Sequence, residues 1–428
     1  MPAAPHRHST AFLPISVLLL FALLLPACRH DARTGPADTR PPTLILVSID
    51  GFRADYLDLG LTPTLARLAQ EGARVDAMRP AFPTLTFPNH YTLVTGLHPD
   101  HHGIINNAMR DPESDQRFTL NNRDAVKNAF WWNDAQPIWN TVRDAGLRSA
   151  TMFWPGSEAP VHGQHPHYWL PFDATMKPEA RVAQVLQWLD LPPHERPDFI
   201  TLYFDAVDHM GHVTGPDSQE THAEIVRTDA ALARLVAGLE QRGRLADINL
   251  LVVSDHGMAA TPAEQAIALD DYIPRDLFEL GARGSIAGLS AANGREAELA
   301  AALSQPIPHV QCWRKEDVPA RYRYGSHRRI SPWVCMGDEG WTIFDRAHLK
   351  RFGVNPGAHG FDPELASMAA IFVGHGPDFR PGANLPQIDS VDVYPLMTRL
   401  LRITPEAHDG DATRTLPLLR EKPDSVAR

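Results

Sequence analysis

Three apolar runs of this chain each end in residues that can do chemistry together. "TLILVSI" (43–49) leads into Asp50-Gly51, and "DFITLYFDAV" (198–207) into Asp208 and then Gly211-His212. "INLLVVS" (248–254) leads into Asp255-His256-Gly257. A single aspartate after a strand is ordinarily a turn former or a helix cap. Three at one edge of a sheet would crowd negative charge into one crevice, and a metal cation resolves that crowding. Carboxylates and imidazoles without a thiolate suit zinc, with manganese or iron as alternatives. Two tetrahedral sites need a further histidine, and "NPGAHGFDP" supplies His359 in a glycine-framed loop. Thr86 stands in "LTFPNHYTLVTG" (85–96). A threonine hydroxyl is a weak nucleophile at neutral pH, so its role depends on what folds beside it.

The elements that must position these residues are legible as further apolar runs, "SATMFW" (149–154) and "MAAIFVG" (368–374). Continuous apolar runs of this length predict strands buried on both faces, as in a parallel sheet. Helical segments lie between them. "TPTLARLAQEG" has Thr62 at the N-cap, Pro63 at the first helical position and Gly72 at the stop. "THAEIVRTDAALARLVAGLEQRG" opens with a capping box from Thr221 to Glu224 and ends at Gly243. This alternation predicts an α/β fold, an open, mostly parallel sheet flanked by helices, over residues 43–412. The rhythm fails between about 260 and 350, where Cys312 and Cys335 lie, so a small inserted lobe is expected there. Residues 413–428 are polar and read as a loose tail.

The 428 residues suffice for one large domain, and the net charge of -11 with no Lys/Arg-rich run excludes a nucleic-acid-coating surface. A stable nucleic-acid complex is not expected, although a small anion could enter a local metal site. Residues 1–28 read as a lipoprotein-type signal peptide. Arg7 precedes the apolar "AFLPISVLLLFALLL" (11–25), and Leu25-Pro26-Ala27-Cys28 resembles a bacterial lipobox. A tether follows at 29–42. The chain is therefore expected in the bacterial cell envelope (periplasm), touching the membrane only through a lipid on Cys28. In that oxidising compartment Cys312 and Cys335 are expected to form one disulfide.

Several segments together resemble the nucleotide pyrophosphatase/phosphodiesterases of the alkaline phosphatase superfamily. They are "ILVSIDGFRADYL", "PTLTFPNHYTLVTGLHPDHHGIINN", "QPIWNTVRDAGLRSATMFWPGSE", "VDHMGHVTGP", "VVSDHGM", "GAHGFDP" and "IDSVDVYPLMTRLLRI". The resemblance implies an alkaline-phosphatase-like fold and two zinc ions. Asp208, His212 and His359 would hold one, and Asp50, Asp255 and His256 the other, beside the Thr86 oxygen. It implies Thr86 as nucleophile, forming a phospho-threonine intermediate, and Asn107 as the contact to a non-bridging phosphate oxygen. Phe87 and Tyr203 would sandwich a nucleotide base. Neither a somatomedin-like module nor a nuclease-like domain is present, so a minimal bacterial form is expected.

Two zincs against three aspartates and one alkoxide leave the site formally neutral. A diester monoanion suits that balance better than a monoester dianion, since no arginine adjoins Thr86. The expected reaction is hydrolysis of nucleotide phosphodiesters to nucleoside 5′-monophosphates. The same chemistry on choline- or glycerol-type diesters or phosphonates is the alternative. A sulfatase is disfavoured, because neither Cys312 nor Cys335 begins a Cys-x-Pro-x-Arg signature. His98, His101 and His102 read as loop structure, and Trp131-Trp132 as a hydrophobic wall.

Overall fold

The computed structural model describes residues 40–421. The expected signal peptide, Cys28 and nearly all of the 29–42 tether lie outside the described residues. Among those described, no helix is long and apolar enough to cross a membrane.

The central sheet has eight strands, numbered here in chain order: β1 (Thr43–Ile49), β2 (Ala73–Arg79), β3 (Ser149–Met152), β4 (Tyr168–Trp169), β5 (Phe199–Phe204), β6 (Ile248–Val253), β7 (Ala370–His375) and β8 (Ala383–Asp389). Their spatial order is β8-β2-β7-β6-β1-β5-β3-β4. β1 lies at the centre, with Val47 beside Leu202 of β5 and Val252 of β6. Alternate residues enter opposite cores: Leu44 and Leu46 pack on one face, Ile45, Val47 and Ile49 on the other. Every residue of β1, β5 and β6 is buried, as the apolar runs require.

The parallel reading holds for all strands but one. β7 runs antiparallel to both β6 and β2. That reversal brings the residues preceding β7, His359 among them, to the edge where the parallel strands end. β2 and β8 escape an apolar-run reading because polar residues interrupt them: β2 is "ARVDAMR", with Asp76 exposed, and β8 is "ANLPQID".

Helix α1 (Pro63–Glu71) starts and stops as expected, but Thr62 makes no side-chain cap. The cap comes from another helix: Asp229 accepts from the N–H groups of Thr64 (3.0 Å) and Leu65 (2.9 Å). Asp229 belongs to the helix Gln219–Gln241, which begins earlier than the expected Thr221–Glu224 box. Its N-cap is Ser218, whose side chain accepts from the Thr221 N–H. The irregular interval contains a four-stranded antiparallel sheet, in spatial order Phe278–Ala282, Ile286–Ala291, Trp333–Gly337 and Val310–Arg314. Cys312 and Cys335 pair directly across two of its strands and form a disulfide. The expected loose tail is corrected over its described part. Leu418 is fully buried, Leu419 bridges Phe379, and the Arg420 guanidinium donates to Phe379 O.

Candidate active site

Asp50 follows β1 directly, at 2% exposure. The next residue, Gly51, has φ +67°, and a Cβ there would lie 2.9 Å from the Asp208 Cα and Cβ. Only glycine permits so close an approach. Its N–H donates to Asp255 Oδ1 at 3.2 Å, so one peptide links the ends of β1 and β6.

Asp208 and His212 lie one turn apart on the helix Ala206–Thr214, which follows β5. Their ligand atoms, Oδ2 and Nε2, are 3.6 Å apart. His359 joins them, its Nε2 3.1 Å from His212 Nε2 and 3.5 Å from Asp208 Oδ1. A second group gathers around His256, whose Nε2 is 2.9 Å from Asp255 Oδ2 and 3.6 Å from Asp50 Oδ1. The two groups adjoin, because the rings of His256 and His359 stack at 3.6 Å. His256 also lies within ligand reach of Asp208 and His359.

Each of these imidazoles is oriented by a backbone carbonyl. The Nδ1–H donates to Gly357 O from His212 (2.7 Å), to Thr84 O from His359 (2.8 Å) and to Gly257 O from His256 (2.8 Å). A carbonyl only accepts, so every Nδ1 carries a proton and every Nε2 faces the site. On the carboxylate side, Asp50 Oδ1, Asp208 Oδ1 and Asp255 Oδ2 are buried without hydrogen-bond partners. Burial, followed by the charges of Asp255 and Asp208, pushes the Asp50 carboxyl well above its ordinary range. Burial with His256 and His212 nearby holds His359 well below its own, in the neutral, ligating form. Orphaned carboxylate oxygens facing imidazole nitrogens fit divalent cations, and N/O donors without thiolate fit zinc.

Thr86 opens the helix Thr86–Thr95. Its Oγ1 is 3.3 Å from His256 Nε2, and it lines a cavity of about 700 Å³. The turn before it is held by Asn89, whose Oδ1 accepts from Ala81 N–H (2.7 Å) and whose Nδ2 donates to Pro83 O (2.9 Å). The helix N-terminus places partial positive charge beside the threonine. Asn107 is near: its Oδ1 accepts from the Phe87 N–H at 2.9 Å, which turns its NH₂ group away from that peptide.

Tyr203, expected in the base clamp, lines the cavity with Phe87 and also has a polar partner. Tyr203 is 8% exposed, and its hydroxyl donates to Asp50 Oδ2 at 2.5 Å. Its ring meets His90 and Phe172 edge-on, so it supports the Asp50 carboxylate and walls the cavity. Phe172 is the half-buried aromatic that lines the same cavity as Phe87. Phe87 is held by Phe118 and Trp132, and Phe172 by Phe153 and Tyr203. Phe172 lies in an irregular segment with no periodicity to mark it. Sequence reasoning also passed over His90, which is fully buried behind Thr86. The histidines of the 98–102 segment are structural: His98 and His101 contact Asp409, and His102 contacts Thr92. Trp131 and Trp132 are buried.

Residues 44–362 match the family model for type I phosphodiesterase / nucleotide pyrophosphatase. The chain belongs to that family. It is 35% identical to the bis(5′-adenosyl)-triphosphatase ENPP4 of Bos taurus, across 94% of this chain and 86% of that protein. A venom phosphodiesterase of Macrovipera lebetinus is 35% identical across 88% of this chain, which spans only 45% of that protein. Human ectonucleotide pyrophosphatase/phosphodiesterase 5 superposes with a TM-score of 0.85 at 36% identity, covering 89% of this chain and all of that one. The mouse counterpart, as an inactive threonine-to-alanine variant in complex with AMP, also gives 0.85, at 34% identity over 88% of this chain and all of that one. The protein is thus a nucleotide pyrophosphatase/phosphodiesterase by family, with Asp/His clusters that can hold metal. These relatives are eukaryotic, so they do not bear on the expected bacterial origin.

Proposed function

We propose that this chain is a two-zinc phosphodiesterase that hydrolyses nucleotide phosphodiesters and pyrophosphates to nucleoside 5′-monophosphates. The observation that carries the reading is the Thr86 hydroxyl, at a helix N-terminus, 3.3 Å from His256 and beside two Asp/His clusters. Asp50, Asp255 and His256 would hold one zinc, and Asp208, His212 and His359 the other. When bound, zinc supplies Lewis acidity and makes an adjacent hydroxyl easier to deprotonate.

The chain's own residues account for the rest. Thr86 Oγ1 forms a bond to phosphorus as the bond to the leaving oxygen breaks on the opposite side. A phospho-threonine results, and water hydrolyses it to free Thr86 and the monophosphate. The Asn107 NH₂ group stabilises a non-bridging oxygen, aided by the helix N-terminus. Phe87 and Phe172 offer apolar faces to a flat base, which favours nucleotides over choline- or glycerol-type diesters. AMP in the mouse relative supports the same preference. The location that accompanies this reading is the bacterial envelope, with a lipid on Cys28.

The test is a substrate panel on one zinc-loaded preparation: a nucleotide diester, a choline-type diester, a monoester and a sulfate ester. The nucleotide diester should give the highest kcat/KM. A higher value for the choline-type diester would establish the alternative, and one for the monoester or sulfate ester would refute both.

A further inference from the structure

We infer that His90 is a positioning residue that fixes the nucleophile's turn against the metal-ligand carboxylates; this rests on Thr86 being the attacking group. His90 lies one helical turn after Thr86 and is fully buried. Its Nδ1 is 2.9 Å from Thr86 O, an atom that only accepts, so Nδ1 carries the proton. Nε2 is then an acceptor, and the Ser48 hydroxyl donates to it at 2.9 Å. Ser48 lies in β1, two residues before Asp50. The same Nδ1 lies 3.2 Å from Asp255 Oδ2.

Two aromatic neighbours fix the ring plane. Trp154 meets it edge-on at 5.0 Å and Tyr203 at 5.2 Å. The Trp154 indole N–H also donates to His90 O at 3.0 Å. One ring therefore touches the peptide of the nucleophile, a ligand carboxylate, the strand that delivers Asp50 and a wall of the cavity. A histidine that merely filled the core would need partners for its two nitrogens. The partners here are the two segments whose separation sets where Thr86 Oγ1 stands relative to the ligands. Loosening that tie displaces the nucleophile without removing a binding contact, and small displacements of this kind slow chemistry more than they weaken binding.

The test uses full-length zinc-loaded enzyme and one nucleotide diester, with kcat, KM and bound zinc measured separately. His90→Asn keeps an amide donor near the Nδ1 position, whereas His90→Gln places its amide near Nε2. His90→Gln should lower kcat about tenfold or more while zinc content holds. Its KM should stay within about twofold of wild type. His90→Asn should recover most of the loss. Ser48→Ala should lower kcat in the same direction by less, and adding it to His90→Gln should cost little more, because both cut one path. A wild-type kcat in His90→Gln, equal loss in the two His90 variants, or zinc lost in step with activity would each overturn the inference. If His90→Gln does not fold, a wild-type kcat in Ser48→Ala overturns it instead. Thr86→Ala run in parallel separates the two readings. An active Thr86→Ala defeats the nucleophile assignment itself, whereas an inactive one beside a fully active His90→Gln defeats only the role of His90.

Discussion

Tyr203 donates its hydroxyl to Asp50 Oδ2 at 2.5 Å, which joins adjacent strands β5 and β1 at a carboxylate of an Asp/His cluster that can hold metal. Tyr203→Phe keeps the ring and removes only that bond. Outer hydrogen bonds to ligands commonly change metal affinity or activity by about 10–100-fold. The variant should therefore lose zinc at lower chelator concentration than wild type. Its kcat/KM should fall alike for a nucleotide diester and for a small diester with no ring on the retained side. A loss confined to the nucleotide substrate would restore Tyr203 to the base clamp.

Phe172→Ala should give the opposite pattern. Stacking on one aromatic contributes about 1–3 kcal/mol per base, so kcat/KM for the nucleotide diester should drop about 5- to 150-fold. The base-free diester should barely change. Equal loss on both substrates would show that Phe172 only packs.

Thr86→Ala should abolish turnover yet keep its zinc, because six carboxylate and imidazole ligands remain. Thr86→Ser should retain part of the activity. Asn107→Ala should slow the diester reaction about 10²-fold or more, as loss of an oxyanion donor does. Near-normal turnover in Thr86→Ala would mean that water attacks phosphorus directly.

Chelation should inactivate the enzyme and zinc should restore it, with Asp50→Ala and His359→Ala each binding less metal by elemental analysis. Activity that survives exhaustive chelation would remove the metal from the reaction.

Acid stability has a separate origin in His102. Burial, with His98 and His327 nearby, lowers its pKa from 6.5 to about 3. Its Nδ1 accepts from the Ile104 N–H at 3.2 Å, a bond that protonation would break. The unfolded chain therefore binds this proton first. Its contribution is complete above about pH 6.5 and declines toward pH 3, by about 1.4 kcal/mol per unit. His102→Gln should flatten that part of a plot of Tm against pH. An unchanged slope would assign the acid sensitivity to other groups.

The Asp/His clusters were legible because their aspartates follow strands buried on both faces. There, apolar runs stop abruptly, and a carboxylate at the break is conspicuous. Runs of that kind disclose burial but not direction, so the reversal of β7 could not be read from "MAAIFVG". His359 was read as a candidate ligand without the geometric reason it joins the cluster. β2 and β8 are interrupted by polar residues, and apolar-run reading does not register them. The Tyr203–Asp50 contact was not legible, because a residue's place in a strand does not say which neighbour its hydroxyl will find, and here that neighbour is a buried carboxylate. Ser218 and Thr221 are both good caps at the same spacing pattern, and only packing decides between them.

The placement of Asp50, Asp208 and Asp255 after three adjacent strands, β5, β1 and β6, has a consequence for divergence. Neighbouring strands lie about 4.7–4.9 Å apart, set by their backbone hydrogen bonds rather than by any side chain. Paired-metal hydrolases keep their ions about 3.5–4 Å apart. The sheet thus acts as a ruler for the two clusters, graduated in peptide units and indifferent to sequence. Leu120, Trp154 and Phe172, which wall the cavity, stand on segments outside those three strands. Drift in those segments can retune which molecule is held while the interval between the two Asp/His clusters stays fixed.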